Sequence, residues 1–351
     1  MDRGKVRAKL LDWYDANARH LAWRAAPGAR RRSDPYLVWL SEVMLQQTTV
    51  PHATPYFLDF TRRWPRVTDL AAAPDEAVMA AWAGLGYYAR ARNLLKCARA
   101  VAADHGGAFP VTEAGLLALP GVGPYTAAAV AAIAFDAPAN VVDGNVERVM
   151  SRLFAVQTPL PDAKPELKAL AAGFVSAELS RHGDWAQALM DLGATVCKPR
   201  NPLCDACPLS GDCAARAGGA PQAYPYKRAK AVRPHRHGVA YLAIREGEAA
   251  LVRRPDKGLL GGMLALPGTD WREAPFSRED AARLAPLDAD WRVAGAVEHV
   301  FTHFSLTLEV WRAEVSGTGP GLIWTPLEGA GDGLPSVFLK ALRAGIGYGN
   351  G

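Results

Sequence analysis

Residues 119–149 form the stretch that decides the fold: LPGVGPYTAAAVAAIAFDAPANVVDGNVERV. Its first five residues place two glycines around one apolar residue, a pattern that predicts a tight turn with close backbone approach. Pro124 suits the first position of a helix, where no amide donor is needed. The residues from Ala127 to Phe135 are apolar on nearly every face, which predicts a buried helix. Because Thr112 is placed to cap a short helix before the turn, the segment predicts helix, turn and helix.

The turn and the loop after the buried helix both carry candidate functional groups. Gly121 and Gly123 leave main-chain N–H groups open at a helix N-terminus, where they can bind a phosphate without reading base sequence. An ordinary helix–helix connection has the same pattern, and this alternative stays open. Asp143 follows two valines and precedes Gly144, so its carboxylate is held beside an apolar wall, although such a residue alone is more often a cap or turn residue.

Glu42 is the only acid in an otherwise apolar turn formed with Leu40, Val43 and Met44. Loss of hydration there would raise its pKa toward the range useful to a general acid. A glutamate on a helix surface is the alternative. Further along, Tyr87 follows a pair of glycines and precedes two arginines, which suits a loop that inserts a ring into a base stack. Core aromatics beside a turn have the same pattern.

Four cysteines lie close together in the pattern C-x6-C-x2-C-x5-C. In a soluble chain, this density favours a metal over disulfides. A zinc knuckle is the general expectation, but zinc sites usually have two C-x-x-C pairs and this segment has one. The spacing alone therefore leaves zinc and an iron–sulfur cluster open. The candidate ligands are Cys197, Cys204, Cys207 and Cys213.

Composition and length indicate a soluble protein of two domains. The chain has 351 residues and a net charge of +5, which weakly favours a polyanionic partner. The longest apolar run, residues 127–135, is far shorter than the roughly 20 residues that span a bilayer. No secretory pattern follows the charged N-terminus, so we expect no membrane association and a cytoplasmic, nucleoid-associated location of the bacterial type.

The periodicity of the sequence changes after a stretch rich in Ala, Gly, Pro, Lys and Arg. Helical spacing dominates before it, and period-two strands such as 239–244 and 304–311 follow it. We therefore expect an all-α domain over residues 1–216, a linker over 217–235 and an α+β domain over 236–351.

These motifs together resemble adenine DNA glycosylases of the MutY type, within the helix-hairpin-helix superfamily of endonuclease III. The resemblance covers essentially the whole chain and rests on 41–48 (SEVMLQQT), 84–92 (GLGYYARAR), the turn with Tyr125, 142–146 (VDGNV) and the cysteine loop. It implies a helix-hairpin-helix glycosylase domain, a [4Fe–4S] cluster on loop 197–213 and a Nudix-like second domain. The implied activity is base excision repair, in which adenine opposite 8-oxoguanine or G is flipped out of double-stranded DNA and hydrolysed from its sugar.

The resemblance also assigns roles to residues. It implies that Glu42 protonates adenine and that Asp143 stabilises the sugar cation, with Tyr125 and Asn145 positioning them. Phe301, Thr302 and His303 correspond to a Phe-Ser-His loop that reads 8-oxoguanine, with Thr in place of Ser. The other implied DNA- or base-binding residues are Trp23, Arg24, Leu45, Gln47, Thr48, Tyr87, Gly121, Gly123 and Gln187.

Tyr125 separates two activities within the superfamily. Bifunctional relatives carry a nucleophilic lysine at this position, so a tyrosine predicts base removal without strand cleavage. A bifunctional glycosylase/lyase and a non-catalytic iron–sulfur DNA-binding protein remain the alternatives. The second domain lacks an Arg-Glu-x-x-Glu-Glu run, so we expect no Nudix hydrolase activity from it. We expect a monomer, and the sequence identifies no protein partner.

Overall fold

A computed structural model describes residues 1–29, 33–228, 233–255, 258–301 and 303–347. The chain divides into two compact units, Met1–Ala229 and Lys230–Gly351. Within the described residues, no helix combines the length and apolar character needed to cross a membrane.

The first unit is helical throughout its regular structure, and its residues 197–213 form an irregular loop with short 3₁₀ turns. A single π-helical turn, Leu192–Val196, leads into that loop. The α-helices are α1 (Arg3–Asn17), α2 (Pro35–Met44), α3 (Val50–Arg63), α4 (Val67–Ala72), α5 (Asp75–Trp82), α6 (Ala89–Asp104), α7 (Glu113–Leu117), α8 (Pro124–Phe135), α9 (Gly144–Leu153), α10 (Lys164–Ala172), α11 (His182–Asp191) and α12 (Ala214–Ala217).

Helix α8 is the central helix of the first unit, as its composition predicted. Nine of its twelve residues are buried, and it packs against α2, α7 and α11. Pro124 occupies its first turn, and the Thr112 side chain caps α7 by accepting a hydrogen bond from the Gly115 N–H at 3.1 Å. The predicted helix–turn–helix is therefore confirmed. The small apolar residues of α8 let its three neighbouring helices approach closely.

Two hydrophobic cores make up the first unit. One surrounds α8 and includes α2 to α7, and the other joins α1 to α9, α10 and α11 beside the cysteine loop. The loop after α8 connects the two cores, which places the N-terminus of α9 opposite α2. This arrangement positions the candidate site between them.

The expected linker over 217–235 is wrong in its first part. Tyr224 is buried, and its carbonyl accepts a hydrogen bond from Arg152 Nε at 3.1 Å. The Leu160 N–H donates to the Tyr226 carbonyl at 2.8 Å, so this segment packs on the first unit. Composition predicts a solvated linker because these polar and proline-containing residues show no apolar periodicity. The Tyr224 carbonyl is paired instead with the buried Arg152, and the Tyr226 carbonyl with the Leu160 N–H.

The second unit is a mixed sheet with helices packed on it, as predicted. The elements are β1 (His235–Arg245), β2 (Glu248–Arg253), β3 (Leu264–Ala265), α13 (Arg278–Arg283), β4 (Arg292–Val300), β5 (Ser305–Glu314), β6 (Ile323–Pro326) and α14 (Ser336–Ile346). The strand order is β3-β2-β1-β5-β4, with β6 also pairing with β2. Strands β1 and β5 run parallel, and the other pairs are antiparallel.

Candidate active site and iron–sulfur loop

One cavity of about 290 Å³ lies in the first unit between the two cores. Its lining draws on α2, α8, α9, α11 and the segment after α1. The structure brings nine of the residues singled out from the sequence to this cavity: Trp23, Arg24, Glu42, Leu45, Thr48, Tyr125, Asp143, Asn145 and Gln187.

Glu42 is the buried acid of the cavity. Its side chain lies on α2 among apolar neighbours and is only 9% exposed. Burial raises the pKa of Glu42 to about 7; a hydrogen bond from Tyr125 and the charge of Arg24 oppose this shift, whereas the Asp143 charge adds to it. A carboxyl group with such a pKa is partly protonated at neutral pH, so it can donate a proton there.

Asp143 is the N-cap residue of α9. One oxygen of its side chain accepts from the Val146 N–H at 2.8 Å, and the other accepts from Asn145 Nδ2 at 2.7 Å. The N-cap position therefore fixes the orientation of this side chain toward the cavity. Asp143 both caps α9 and lines the cavity.

Arg148 is a buried residue that the sequence analysis missed. Its guanidinium donates to Asn145 Oδ1 at 2.8 Å, to the Gly193 carbonyl at 2.7 Å and to the Cys197 carbonyl at 2.8 Å. A Cβ at Gly193 would lie 2.6 Å from the Cβ of Asn145, so this close packing needs glycine. A hydrogen-bonded chain thus runs from the cysteine loop through Arg148 and Asn145 to Asp143.

Asp191 is the second residue that the sequence analysis missed. Its carboxylate is fully buried and lies 2.8 Å from Arg24 Nη1 and 2.7 Å from Arg19 Nε. The ion pair with Asp191 holds Arg24 beside Glu42, where the positive charge of Arg24 favours the ionised form of Glu42. An acid at the end of α11 carried no signal of this role, because its partners are more than 160 positions away in the sequence.

Gln47 and Tyr87 lie outside the cavity lining. Both are exposed, Tyr87 by 65%, and both adopt left-handed backbone conformations with φ of 58° and 49°. Such conformations are uncommon in residues other than glycine and occur often at functional turns. The turn that carries Gln47 follows directly after α2, the helix that carries Glu42.

The glycine turn before α8 is solvent-exposed at Gly121. Gly121 has φ of 73°, and a Cβ there would lie 2.6 Å from the Cβ of Asn93. Gly123 is the N-cap of α8 and offers no side chain to the first amides of the helix. These open amides can bind an anionic oxygen such as a phosphate.

The four cysteines line one small cavity beside Arg152. Arg152 Nη1 donates to Cys197 Sγ at 3.2 Å, the Leu209 N–H donates to Cys207, and Cys213 receives bonds from the N–H groups after it. A [4Fe–4S] cluster takes one thiolate at each of its irons. Four cysteines around one cavity supply that donor set, so the residues present fit the cluster.

The loop before β5 carries Phe301 and His303 in the second unit. Phe301 stacks on Trp271 with ring centroids 5.3 Å apart, and its N–H donates to the Phe304 carbonyl at 2.9 Å. His303 is exposed. Thr302, also predicted as a base-reading residue, lies outside the described residues.

Comparison with protein-family models divides the chain in the same way. Residues 40–173 match the HhH-GPD superfamily base excision DNA repair protein, and residues 239–344 match the NUDIX domain. Residues 197–213 match the iron-sulfur binding domain of endonuclease III. The predicted fold class is confirmed, and the cofactor of the cysteine loop is a [4Fe–4S] cluster.

The similar proteins cover between 61% and 90% of the chain. The human adenine DNA glycosylase is 36% identical in an alignment 376 positions long, which covers 90% of this chain and 68% of the human protein. The Mycolicibacterium smegmatis adenine DNA glycosylase is 40% identical over 213 residues, 61% of this chain and 70% of that one. A thermostable thymine-DNA glycosylase has a TM-score of 0.54 and 31% identity, covering 62% of this chain and 97% of its own. The chain belongs to the adenine DNA glycosylase family.

Proposed function

We propose that this protein removes adenine mispaired with 8-oxoguanine or G from double-stranded DNA, in base excision repair, without cutting the strand. The observation that carries the proposal is the pair of carboxyl groups in one cavity: Glu42 with a raised pKa, and Asp143 held in place by hydrogen bonds from two donors. Two carboxyl groups in unequal environments suit the hydrolysis of a glycosidic bond.

Glu42 would act first, as the acid that protonates N7 of adenine. The protonated base leaves more easily, and positive charge develops on the deoxyribose. Asp143 faces that charge and stabilises it or bonds to it transiently. Glu42, now a carboxylate, then activates the water that completes the hydrolysis, while Tyr125 and Asn145 hold the two carboxyl groups in position.

Gln187 supports adenine as the base that enters the cavity. Its Nε2 donates to the Gly183 carbonyl at 3.2 Å, which fixes the orientation of the amide. Its Oε1 is buried without a hydrogen-bond partner among the described residues. A buried acceptor of this kind favours a ligand with a donor, and the exocyclic amino group of adenine is such a donor.

The absence of a suitable amine supports base removal without strand cleavage. A lyase reaction begins when an amine attacks the sugar. The described residues that line the cavity include the cations Arg19 and Arg24 and no lysine. Tyr125 occupies the position where bifunctional relatives are expected to have lysine, and burial raises its pKa well above 10, so the hydroxyl stays protonated.

The rest of the proposal concerns the whole molecule on DNA. The open amides after Gly121 would hold a backbone phosphate, and Phe301, Thr302 and His303 would contact the oxidised base. The four cysteines would hold the cluster, which keeps loop 197–213 folded on α9. The protein would act as a monomer on chromosomal DNA, in the cytoplasm or nucleoid.

The test is single-turnover base release from duplexes that pair adenine with 8-oxoguanine, G or T. We expect adenine release from the first two duplexes only, with strand breaks that appear only after treatment with hot alkali. Breaks without alkali would favour the bifunctional alternative. Tight binding without release from any duplex would favour the non-catalytic DNA-binding protein.

The pH dependence of base release should follow Glu42. The group must be protonated to act, and its pKa is about 7: burial and the charge of Asp143 raise it, and Tyr125 and Arg24 partly oppose them. We therefore expect the single-turnover rate to fall as the pH rises through about 7, by roughly tenfold per unit at the alkaline end. A rate that stays constant up to pH 9 would contradict the role of Glu42 as the acid.

Replacing Arg148 should slow base release through Asp143. Arg148→Met removes the donor that holds Asn145 Oδ1, so the Asn145 amide no longer fixes the carboxylate. We expect a loss of about 10- to 100-fold, the range seen when partners that orient active-site ligands are removed. A double-mutant cycle tests the route: in an Asp143→Asn background, Arg148→Met should have little further effect. Equal losses in both backgrounds would contradict it.

A further inference from the structure

Two turns next to the helix that carries Glu42 present exposed side chains that do not line the cavity: Gln47 and Tyr87. Gln47 lies in the turn directly after α2, and Tyr87 lies in residues 84–88, called here the wedge loop. A base that enters the cavity must leave the duplex, which breaks its stacking and pairing. An exposed ring and an exposed amide beside the cavity are suited to fill the gap that the base leaves.

Arg90, in the first turn of α6, connects these two turns. Its Nη1 donates to the carbonyls of Val43 at 3.0 Å and Met44 at 3.2 Å, the last residues of α2. Its Nη2 donates to the carbonyls of Leu85 at 3.0 Å and Gly86 at 3.3 Å in the wedge loop. One guanidinium therefore ties together two main-chain segments about 40 residues apart in sequence.

The rings around Arg90 restrict it further. The guanidinium carbon lies 5.2 Å from the centroid of the Trp82 ring and 5.6 Å from that of Tyr87. Trp82 is fully buried, and its Nε1 donates to the same Gly86 carbonyl at 3.0 Å. The planar guanidinium of arginine can lie between two rings and donate to two pairs of carbonyls at once. The ammonium of lysine is a point charge and cannot replace this geometry.

We propose that Arg90 is a positioning residue that holds the wedge loop against the end of α2, so that Tyr87 and Gln47 enter the duplex as one preformed unit. The inference rests on the proposed function, because it assumes that a base is flipped into the cavity. Arg90 does not line that cavity. Its effect should therefore fall on extrusion of the base and not on bond cleavage.

The experiment measures extrusion separately from chemistry. A duplex carries 2-aminopurine in place of adenine, opposite 8-oxoguanine, and its fluorescence rises when the base leaves the stack. Arg90→Met and Arg90→Lys are each placed in a Glu42→Gln background, in which base release does not contribute. We expect Arg90→Met to slow the fluorescence rise, and in otherwise unchanged protein to slow adenine release, by about 100-fold, the loss that a small misplacement of a positioning group can cause. Arg90→Lys keeps the positive charge and should recover little of the lost rate.

The matched control is Arg99→Met in the same helix. Arg99 also donates to main-chain carbonyls, those of Ala71 and Ala73, and to Asp75, but it contacts neither turn. This variant should extrude the base and release adenine at rates within about twofold of those of the parent protein, because surface interactions contribute little. Arg90 variants that extrude the base at the parent rate would overturn the inference, even if their base release is slow. An unchanged protein that releases no adenine would instead overturn the proposed function.

Discussion

Glu42→Gln is expected to bind the mismatched duplex normally and to release almost no adenine. Gln has nearly the shape of Glu and can keep the hydrogen bond with Tyr125, but it has no proton to give to the base. General acid catalysis contributes about 10²- to 10⁴-fold, so the single-turnover rate should fall by about 1000-fold or more. Affinity, measured by a gel shift or fluorescence anisotropy, should change by only a few fold.

The stability of Glu42→Gln provides an internal control for this loss. Because burial raises the pKa of Glu42 to about 7 from 4.5, the contribution of this group to stability is fully present below pH 4.5 and is lost as the pH rises through about 7. The shift corresponds to about 3 kcal/mol of unfolding free energy above that window. Gln stays neutral, so the variant should melt at a higher temperature than the parent at pH 8, and this gain should vanish near pH 4.5.

Glu166→Gln is the matched variant for the same chemical change. Glu166 is exposed on α10 and lies outside the cavity lining. This variant should retain the parent rate and melting temperature. If Glu42→Gln retained more than about a tenth of the parent rate while folded, the assignment of Glu42 as the acid would be wrong.

Asp143→Asn is expected to produce the second largest loss, without weakening α9. Asn is as good an N-cap as Asp, so the hydrogen bond from the Val146 N–H at 2.8 Å should persist. The variant loses the negative charge that faces the developing sugar cation. Removing one such electrostatic contact costs about 10²- to 10³-fold, measured as the single-turnover rate of adenine release at saturating enzyme.

Asp34→Asn makes the same substitution at another helix cap. Asp34 caps α2 by accepting from the Tyr36 N–H at 2.8 Å, and it does not line the cavity. This control should show parent activity. The combined Glu42→Gln/Asp143→Asn protein should be little slower than Glu42→Gln alone, because residues that act as a unit have non-additive effects. Full multiplication of the two losses would argue that the carboxyl groups act in separate steps or sites.

Local sequence patterns predicted the elements of the site with good accuracy. The glycine turn, the buried α8 and the cap at Thr112 depend on neighbouring residues and on backbone preferences, so they are visible in a short window. Glu42 was recognisable because a single acid stood among apolar neighbours. The cysteine spacing indicated a metal, although it did not separate zinc from iron–sulfur chemistry without the resemblance.

Partners that are distant in the chain carry no signal in the sequence. Asp191 is paired with Arg19 and Arg24, which lie near the beginning of the chain, and Arg148 connects α9 to the cysteine loop. The assignment of the segment after residue 217 to the linker is wrong for the same reason, since Arg152 donates to the Tyr224 carbonyl. Each of these contacts depends on a guanidinium that reaches across helices, and arginine in a helix carries no pattern that names its partner.

The sequence by itself determined the division into two domains, the helical and sheet classes of the two units and the cysteine loop of the cluster, and it predicted Glu42 and Asp143 as the two carboxyl groups of the site. These properties follow from periodicity, spacing and residue type, which are local. Only the tertiary structure decided that the two carboxyl groups share one cavity, that burial raises the pKa of Glu42, and that Arg90 joins two exposed turns. These features depend on packing between elements that are distant in the chain, so they exist only in the folded first unit.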